Sequence, residues 1–81
     1  MILRAYLDAA LSRAVYEPIS ADEGIWGEIP GFDGLWANAP TPSECAKELA
    51  SALEDWVIVG LRLGHELPEV DGLRLPVPEV V

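Results

Sequence analysis

The feature that most constrains the fold is a strong helix-start signal at Thr41. Thr41 is a good N-cap, Pro42 suits the first helical position, and Glu44 completes a capping box with Thr41. Apolar residues then recur on one helical face, at Leu49, Leu53, Trp56, Val57, Gly60 and Leu61. Gly64 is a suitable stop residue, so the pattern predicts a helix over 41–63.

Before this helix, the sequence predicts a shorter helix and three short strands. Residues 2–14 have apolar side chains at three- and four-residue spacing, which is typical of an amphipathic helix. Three apolar segments separated by turn residues favour an antiparallel meander, at 15–19, 25–29 and 35–39.

The tail and the chain length complete the predicted architecture. The tail, 67–81, contains three prolines and a short strand is expected around 73–75. The 81 residues suit a single domain, 1–81. We therefore expect a two-layer α+β fold in the order α-β-β-β-α-β, in which a long helix packs on an antiparallel sheet of three to four strands.

Strand alternation divides the predicted sheet into two unlike faces. One face is small and aliphatic, with Ile25, Gly27, Ile29, Leu35, Ala37 and Ala39. This face suits the long helix, because Gly27 allows a close approach. The other face has Trp26 and Trp36, and we expect Tyr16 to join them. Aromatic side chains of this size are rarely left in water, so either the N-terminal helix or a second subunit should cover them.

A second apolar surface is expected on the C-terminal half of the long helix. Ile58 falls on its polar face, and Val59 borders its apolar stripe. A single exposed isoleucine is common on monomeric proteins. Taken with the aromatic face, however, these residues predict a homo-oligomer whose interface contains Trp26, Trp36, Val57, Ile58 and Val59.

The charge of the chain favours a basic partner. The formal net charge is −9, which repels phosphate backbones and anionic membrane surfaces. Across 15–55 only Lys47 is basic, and the acids there are Glu17, Asp22, Glu23, Glu28, Asp33, Glu44, Glu48, Glu54 and Asp55. Asp22 and Glu23 lie at a hairpin turn and Glu28 at a strand end, so these three are candidate partner-binding residues.

No catalytic, metal or cofactor site is predicted. Cys45 and His65 lie at opposite ends of the long helix, roughly 30 Å apart at 1.5 Å rise per residue, so they cannot form a nucleophile–base pair within one chain. As zinc ligands they would lack two partners. The acids have no Asp-x-Asp spacing, and the 31–34 turn lacks the lysine and the following helix of a phosphate loop. We expect a protein that binds and does not catalyse.

The sequence is typical of a cytoplasmic protein. Its single cysteine excludes an internal disulfide, which suits a reducing compartment. Arg4, Asp8 and Arg13 interrupt the apolar residues near the N-terminus, so no signal peptide is predicted. The longest apolar run, 56–61, is too short to span a bilayer.

Residues 24–56 also resemble a known family pattern. An aromatic strand ends in an acid and a Pro-Gly pair, a short gap leads to a Thr-x-x-Glu helix start, and a leucine-rich helix follows. The pattern is formed here by Trp26, Glu28, Pro30, Gly31, Thr41, Glu44, Leu49, Leu53, Glu54 and Trp56, with Leu67 and Pro68 after the helix. Its order and spacing are similar to the core of the HicB-like antitoxins.

The resemblance implies a reduced ribonuclease H-like fold without the catalytic acids. It also implies a function, because members of the family bind a small basic ribonuclease toxin and block its active site. We expect the DNA-binding segment found in many members to be missing, and the N-terminal helix to be an addition to the family pattern. The leading hypothesis is an antitoxin that neutralises a small basic RNA-cleaving toxin. The alternative is a structural or regulatory homo-oligomer with no toxin partner.

Overall fold

Two helices and one antiparallel sheet make up the part of the chain that the computed structural model describes, residues 2–20 and 24–76. The elements are, in chain order, α1 (Ile2–Ser12), β1 (Val15–Ser20), β2 (Gly24–Glu28), β3 (Trp36–Ala39) and α2 (Pro42–Arg62). The sheet has the order β1-β2-β3, so strands that are neighbours in sequence pair in space. The predicted α+β fold with an antiparallel sheet is confirmed. Residues 77–81 of the predicted tail lie outside the described residues.

The helix α2 begins and ends at the signals in the sequence. The Thr41 side chain accepts a hydrogen bond from the Glu44 N–H at 3.2 Å, and Pro42 occupies the first turn. At the other end, Gly64 adopts a left-handed φ of 73° and donates its N–H to Leu61 O at 3.1 Å. This geometry pairs a carbonyl that the helix would otherwise leave open, so Gly64 is the stop residue that was predicted.

We expect Thr41→Ala to lower the free energy of unfolding by about 1 kcal/mol, because the Glu44 N–H loses its acceptor. Thr41→Ser keeps the hydroxyl and serves as the matched control, with little change in stability. Urea denaturation followed by circular dichroism measures both variants. Equal midpoints for Thr41→Ala and the wild type would contradict this assignment of the cap.

The inner face of the sheet is small and aliphatic, and α2 packs directly on it. The buried side chains of this contact are Ile29, Ala37, Ala39, Cys45, Leu49, Leu53 and Val57. The approach is closest at Gly27, where an added Cβ atom would lie 2.9 Å from Cys45 Sγ. The predicted reason for a glycine at this strand position is therefore confirmed.

Tyr16 lies on this inner face and not with the tryptophans. It pairs with Gly27 across β1 and β2, and directly paired residues share a face. The ring covers the space that the glycine leaves open, since an added Cβ on Gly27 would lie 3.0 Å from two ring carbons of Tyr16. The prediction that Tyr16 joins Trp26 and Trp36 is wrong, because the strand register places it on the other side.

The N-terminal helix α1 packs beside α2 and leaves the outer face of the sheet uncovered. Tyr6 and Ala10 are fully buried, and the Tyr6 hydroxyl donates a hydrogen bond to Pro68 O at 2.6 Å. The Tyr6 ring also faces Phe32, with 6.3 Å between ring centroids. Because these contacts hold α1 in the helix layer, it does not cover the tryptophans, and the second predicted cover, another subunit, stays a prediction.

After α2, the described residues do not form the predicted strand around 73–75. Val70 and Leu73 pair with each other instead, with distances of 3.0 and 2.7 Å between the donor nitrogen and the acceptor oxygen. Between them, Asp71 and Gly72 have positive φ values of 49° and 77°, as in the two-residue turns of tight hairpins. The Asp-Gly turn makes this segment pair locally, so it does not join the sheet.

Candidate partner-binding face

The uncovered outer face of the sheet is built around two stacked tryptophans. The indoles of Trp26 and Trp36 have 4.6 Å between centroids and 9° between planes. Trp26 pairs with Asn38 and Trp36 with Glu28, so the two indoles are diagonal neighbours on adjacent strands. Trp36 is 52% exposed. Exposed tryptophan on a strand face is typical of surfaces that bind a partner.

Carboxylates flank the tryptophans on the same face. In the strand register Glu28 lies opposite Trp36, and Glu17 lies opposite Trp26. None of the three strands contains Lys or Arg, and the ion pairs seen among the described residues all involve acids of 66–71. We call this aromatic and negatively charged surface, formed by Glu17, Trp26, Glu28 and Trp36, the tryptophan face.

The loop between β2 and β3 closes one side of the tryptophan face. It is the turn expected between the predicted strands at 25–29 and 35–39, and it contains a hydrogen bond from the Phe32 N–H to Ile29 O at 3.1 Å. A cleft of about 250 Å³ separates this loop from the strands, and we call it the indole cleft. Its lining includes both indoles of the tryptophan face, Glu28 and Asp33.

Trp56 fixes this loop to α2. Its indole N–H donates a hydrogen bond to Asp33 O at 3.1 Å, and its ring tilts against buried Phe32 with 5.0 Å between centroids. The apolar stripe placed Trp56 with the residues that face the sheet, but it packs on the loop. The reason is length, because a 21-residue helix spans about 30 Å and extends well beyond the four-residue strand β3.

We expect Trp56→Ala to lower the free energy of unfolding by roughly 3 kcal/mol, because the ring fills the space between Phe32 and the helix. Trp56→Phe keeps most of the packing and loses the bond to Asp33 O, so a loss of about 1 kcal/mol is expected. Chemical denaturation measures both. If Trp56→Ala were as stable as the wild type and lost only self-association, Trp56 would belong to an interface.

A second open surface lies where α2 extends beyond the sheet. It is a groove of about 930 Å³ between the β2–β3 loop and the segment that follows α2, and we call it the α2 groove. Trp36, Val59 and Leu63 line it, and the two aliphatic side chains are 53% and 63% exposed. Aliphatic side chains this exposed and this close together indicate a second surface suited to a partner.

The structure separates the residues that were predicted to form one interface. Trp26 and Trp36 come together on the tryptophan face, and Val59 lines the α2 groove. Ile58 is 49% exposed but lines neither the groove nor the cleft. Val57 is 1% exposed and packs on the inner face of the sheet, so the prediction that it lies in an interface is wrong. The helical turn sends these three consecutive side chains in different directions.

Of the three acids predicted to bind a partner, the structure describes one. Glu28 lies on the tryptophan face, whereas Asp22 and Glu23 lie outside the described residues. Sequence reasoning missed two residues of the open surfaces, Asp33 and Leu63. Leu63 follows Val59, a residue of the predicted interface, by four positions, so helical spacing could have identified it. Asp33 has no comparable signal, because its position depends on how the loop is fixed.

The Cys45 thiol has a structural role. It is fully buried and lies 3.7 Å from Ala37 O. Burial, with a smaller contribution from the charge of Glu48, raises the pKa of the thiol. A thiol with a raised pKa and no access to solvent is a poor nucleophile.

Within residues 2–20 and 24–76, no three His, Cys, Asp or Glu side chains are grouped so that they could hold a metal ion. No helix in the same ranges combines the length and the hydropathy that crossing a membrane requires.

Comparison with known proteins assigns the domain. A family model described as UPF0150-like matches residues 5–68. The chain belongs to the UPF0150-like family. The matched span of this UPF0150-like domain runs from α1 to Pro68 and so includes both partners of the Tyr6–Pro68 hydrogen bond. The match therefore includes most of the N-terminal helix, from residue 5 onward, while the expectation that this helix is an addition to the HicB-like pattern stays a prediction.

One solved structure similar to this UPF0150-like chain is TTHA0281 from Thermus thermophilus. The two chains are 38% identical, the alignment covers 98% of each, and the TM-score is 0.89. No curated protein sequence matches the chain. Neither the family description nor the name of the neighbour states a ligand or a reaction, so what the UPF0150-like domain binds is inferred from its surfaces.

Proposed function

We propose that this protein is a HicB-like, antitoxin-type binding protein that neutralises a small basic RNA-cleaving toxin by protein–protein contact and has no catalytic activity. One sequence pattern is similar to that of HicB-like antitoxins, and it consists of residues 24–56 with Leu67 and Pro68. It lies entirely within the span matched by the family model. The aromatic strand, the Pro-Gly turn and the capped helix of that pattern pack together in one domain. Because such a toxin acts on cellular RNA, the proposal places the protein in the cytoplasm.

The observation that carries this proposal is the uncovered tryptophan face. Its stacked indoles supply the kind of rigid aromatic contact on which binding hot spots depend. Glu17 and Glu28 add negative charge beside them, and the strands contain no cation that offsets it. A basic protein surface complements this face, whereas nucleic acid is repelled by it and by the net charge of −9.

Binding at this face would neutralise a ribonuclease by occupying its RNA-binding surface. A basic ribonuclease holds RNA phosphates with Lys and Arg side chains. When Glu17 and Glu28 pair with those side chains, the phosphates lose their site and RNA no longer reaches the catalytic groups. Opposite charges also steer the encounter, so association is expected to be fast at low ionic strength and slower in salt.

The direct test is an RNA-cleavage assay with the purified product of a neighbouring reading frame that encodes a short, Lys/Arg-rich protein. A molar excess of this chain is expected to abolish cleavage, and the inhibition is expected to weaken as salt is raised. Undiminished cleavage at a molar excess of the chain would refute the antitoxin proposal.

Charge-neutralising variants test whether the three candidate partner-binding acids contribute to binding. Replacing Asp22, Glu23 and Glu28 with their amides should slow association with the toxin by roughly tenfold and leave the unfolding midpoint unchanged. The matched control neutralises three exposed acids of the helices, Asp8, Glu48 and Glu54. Equal association rates for the two triple variants would mean that net charge, and not the position of the three candidate acids, sets the rate.

The α2 groove favours a second candidate function, a structural or regulatory homo-oligomer with no toxin partner. Val59 and Leu63 are aliphatic and more than half exposed in the single chain. Their burial against another copy of the chain would remove apolar surface from water, which favours association.

If the α2 groove is the contact between copies, Val59→Asp should weaken self-association, because it puts a charge into the groove wall. Ile58→Asp, on a neighbouring position outside the groove, is the matched control and should have a smaller effect. Light scattering over a range of concentrations gives the mass. A monomer mass at high concentration would exclude the oligomer, and a larger effect of Ile58→Asp would exclude the groove as its contact.

A further inference from the structure

We propose that the indole cleft binds an arginine side chain presented by a basic protein partner. The proposal rests on the proposed function in one respect, that the partner is a basic protein. The cleft, of about 250 Å³, is lined by Trp26, Glu28, Asp33 and Trp36. Two aromatic rings and two acidic residues therefore meet at one opening, which is a chemical environment suited to a flat cation.

The indole pair provides the surface on which a guanidinium can stack. One face of the Trp36 indole lies on Trp26, so its 52% exposure belongs to the opposite face and the edges. A guanidinium is planar and weakly hydrated, and it stacks readily on aromatic faces. A lysine ammonium is compact and strongly hydrated, so it loses more hydration for the same contact.

Glu28 and Asp33 provide the charge. Both are exposed, and within residues 2–20 and 24–76 no cation forms an ion pair with either of them. Glu28 is paired directly with Trp36 across the strands, and both residues line the cleft. A carboxylate at this place can accept two N–H groups of one guanidinium while the ring stacks on the indole.

The cleft is held in shape by contacts that leave both carboxylates to a ligand. The indole of Trp56 binds the backbone oxygen of Asp33 and not its side chain. Gly31 and Gly34 take positive φ values of 89° and 80°, which the turns of this loop require. A cleft that is already formed costs less ordering when it binds a side chain.

Short peptides test this assignment without the toxin. The probes are N-acetyl-Gly-Arg-Gly-amide, its lysine analogue and its citrulline analogue, which has the shape of arginine but no charge. The indole N–H resonances of Trp26 and Trp36 report binding. We expect a Kd on the order of 1 mM for the arginine peptide, with binding roughly threefold weaker for lysine and at least about tenfold weaker for citrulline.

Variants of the cleft provide the second arm of the test. Glu28→Gln and Asp33→Asn should each weaken binding of the arginine peptide by roughly threefold or more. Both side chains are exposed and lie outside the packed core, and the melting temperature of each variant verifies that it is folded. Glu54→Gln, an equal change of charge at an exposed position of α2, is the control and should bind like the wild type.

Three results would overturn the assignment. The first is equal binding of the arginine and citrulline peptides, and the second is equal binding of the arginine peptide by the cleft variants and the wild type. The third is a tryptophan shift that depends on protein concentration, which would show that a second copy fills the cleft. The outcome is separable from the antitoxin test. Peptide binding without inhibition of RNA cleavage refutes only the antitoxin proposal. Inhibition of RNA cleavage together with equal binding of the arginine and citrulline peptides refutes only the arginine assignment.

Discussion

The close contact between α2 and the inner face of the sheet is the constraint on which the rest of the structure depends. The helix reaches the sheet because Gly27 has no side chain, and alanines occupy the adjacent positions of β3. Cys45 fills the space above the glycine, and its thiol is buried for that reason. A domain of this size has one small core, so a close helix–sheet contact contributes much of its stability.

This contact also decides where the large aromatic side chains go. Strand alternation places Trp26 and Trp36 opposite the small residues, and there is no room for an indole under α2. The N-terminal helix α1 does not cover them, because Tyr6 holds it against Phe32 and Pro68 in the helix layer. The tryptophan face is thus a consequence of how the core is packed, and its exposure is the basis of the proposed function.

The length of α2 produces the second open surface. The helix continues past the end of β3, where Trp56 ties the β2–β3 loop to it and Val59 and Leu63 are left without a cover. Trp36 lines both the indole cleft and the α2 groove, so its substitution cannot distinguish a toxin partner from a second copy. Glu28 and Val59 each belong to only one of these surfaces, and they separate the two.

Local chemistry in the sequence determined the two helices, the three strands and the faces of β2 and β3. The Thr41 cap, the glycine stop and the alternation along β2 and β3 each depend on residues a few positions apart, so they could be predicted without the fold. The tertiary structure decided what depends on register and on contacts between distant residues. It placed Tyr16 on the inner face, Val57 in the core, α1 beside α2 and Asp33 at the indole cleft. Nothing within a few residues of these positions specifies the partner each one meets, because that partner is set by how whole elements pack.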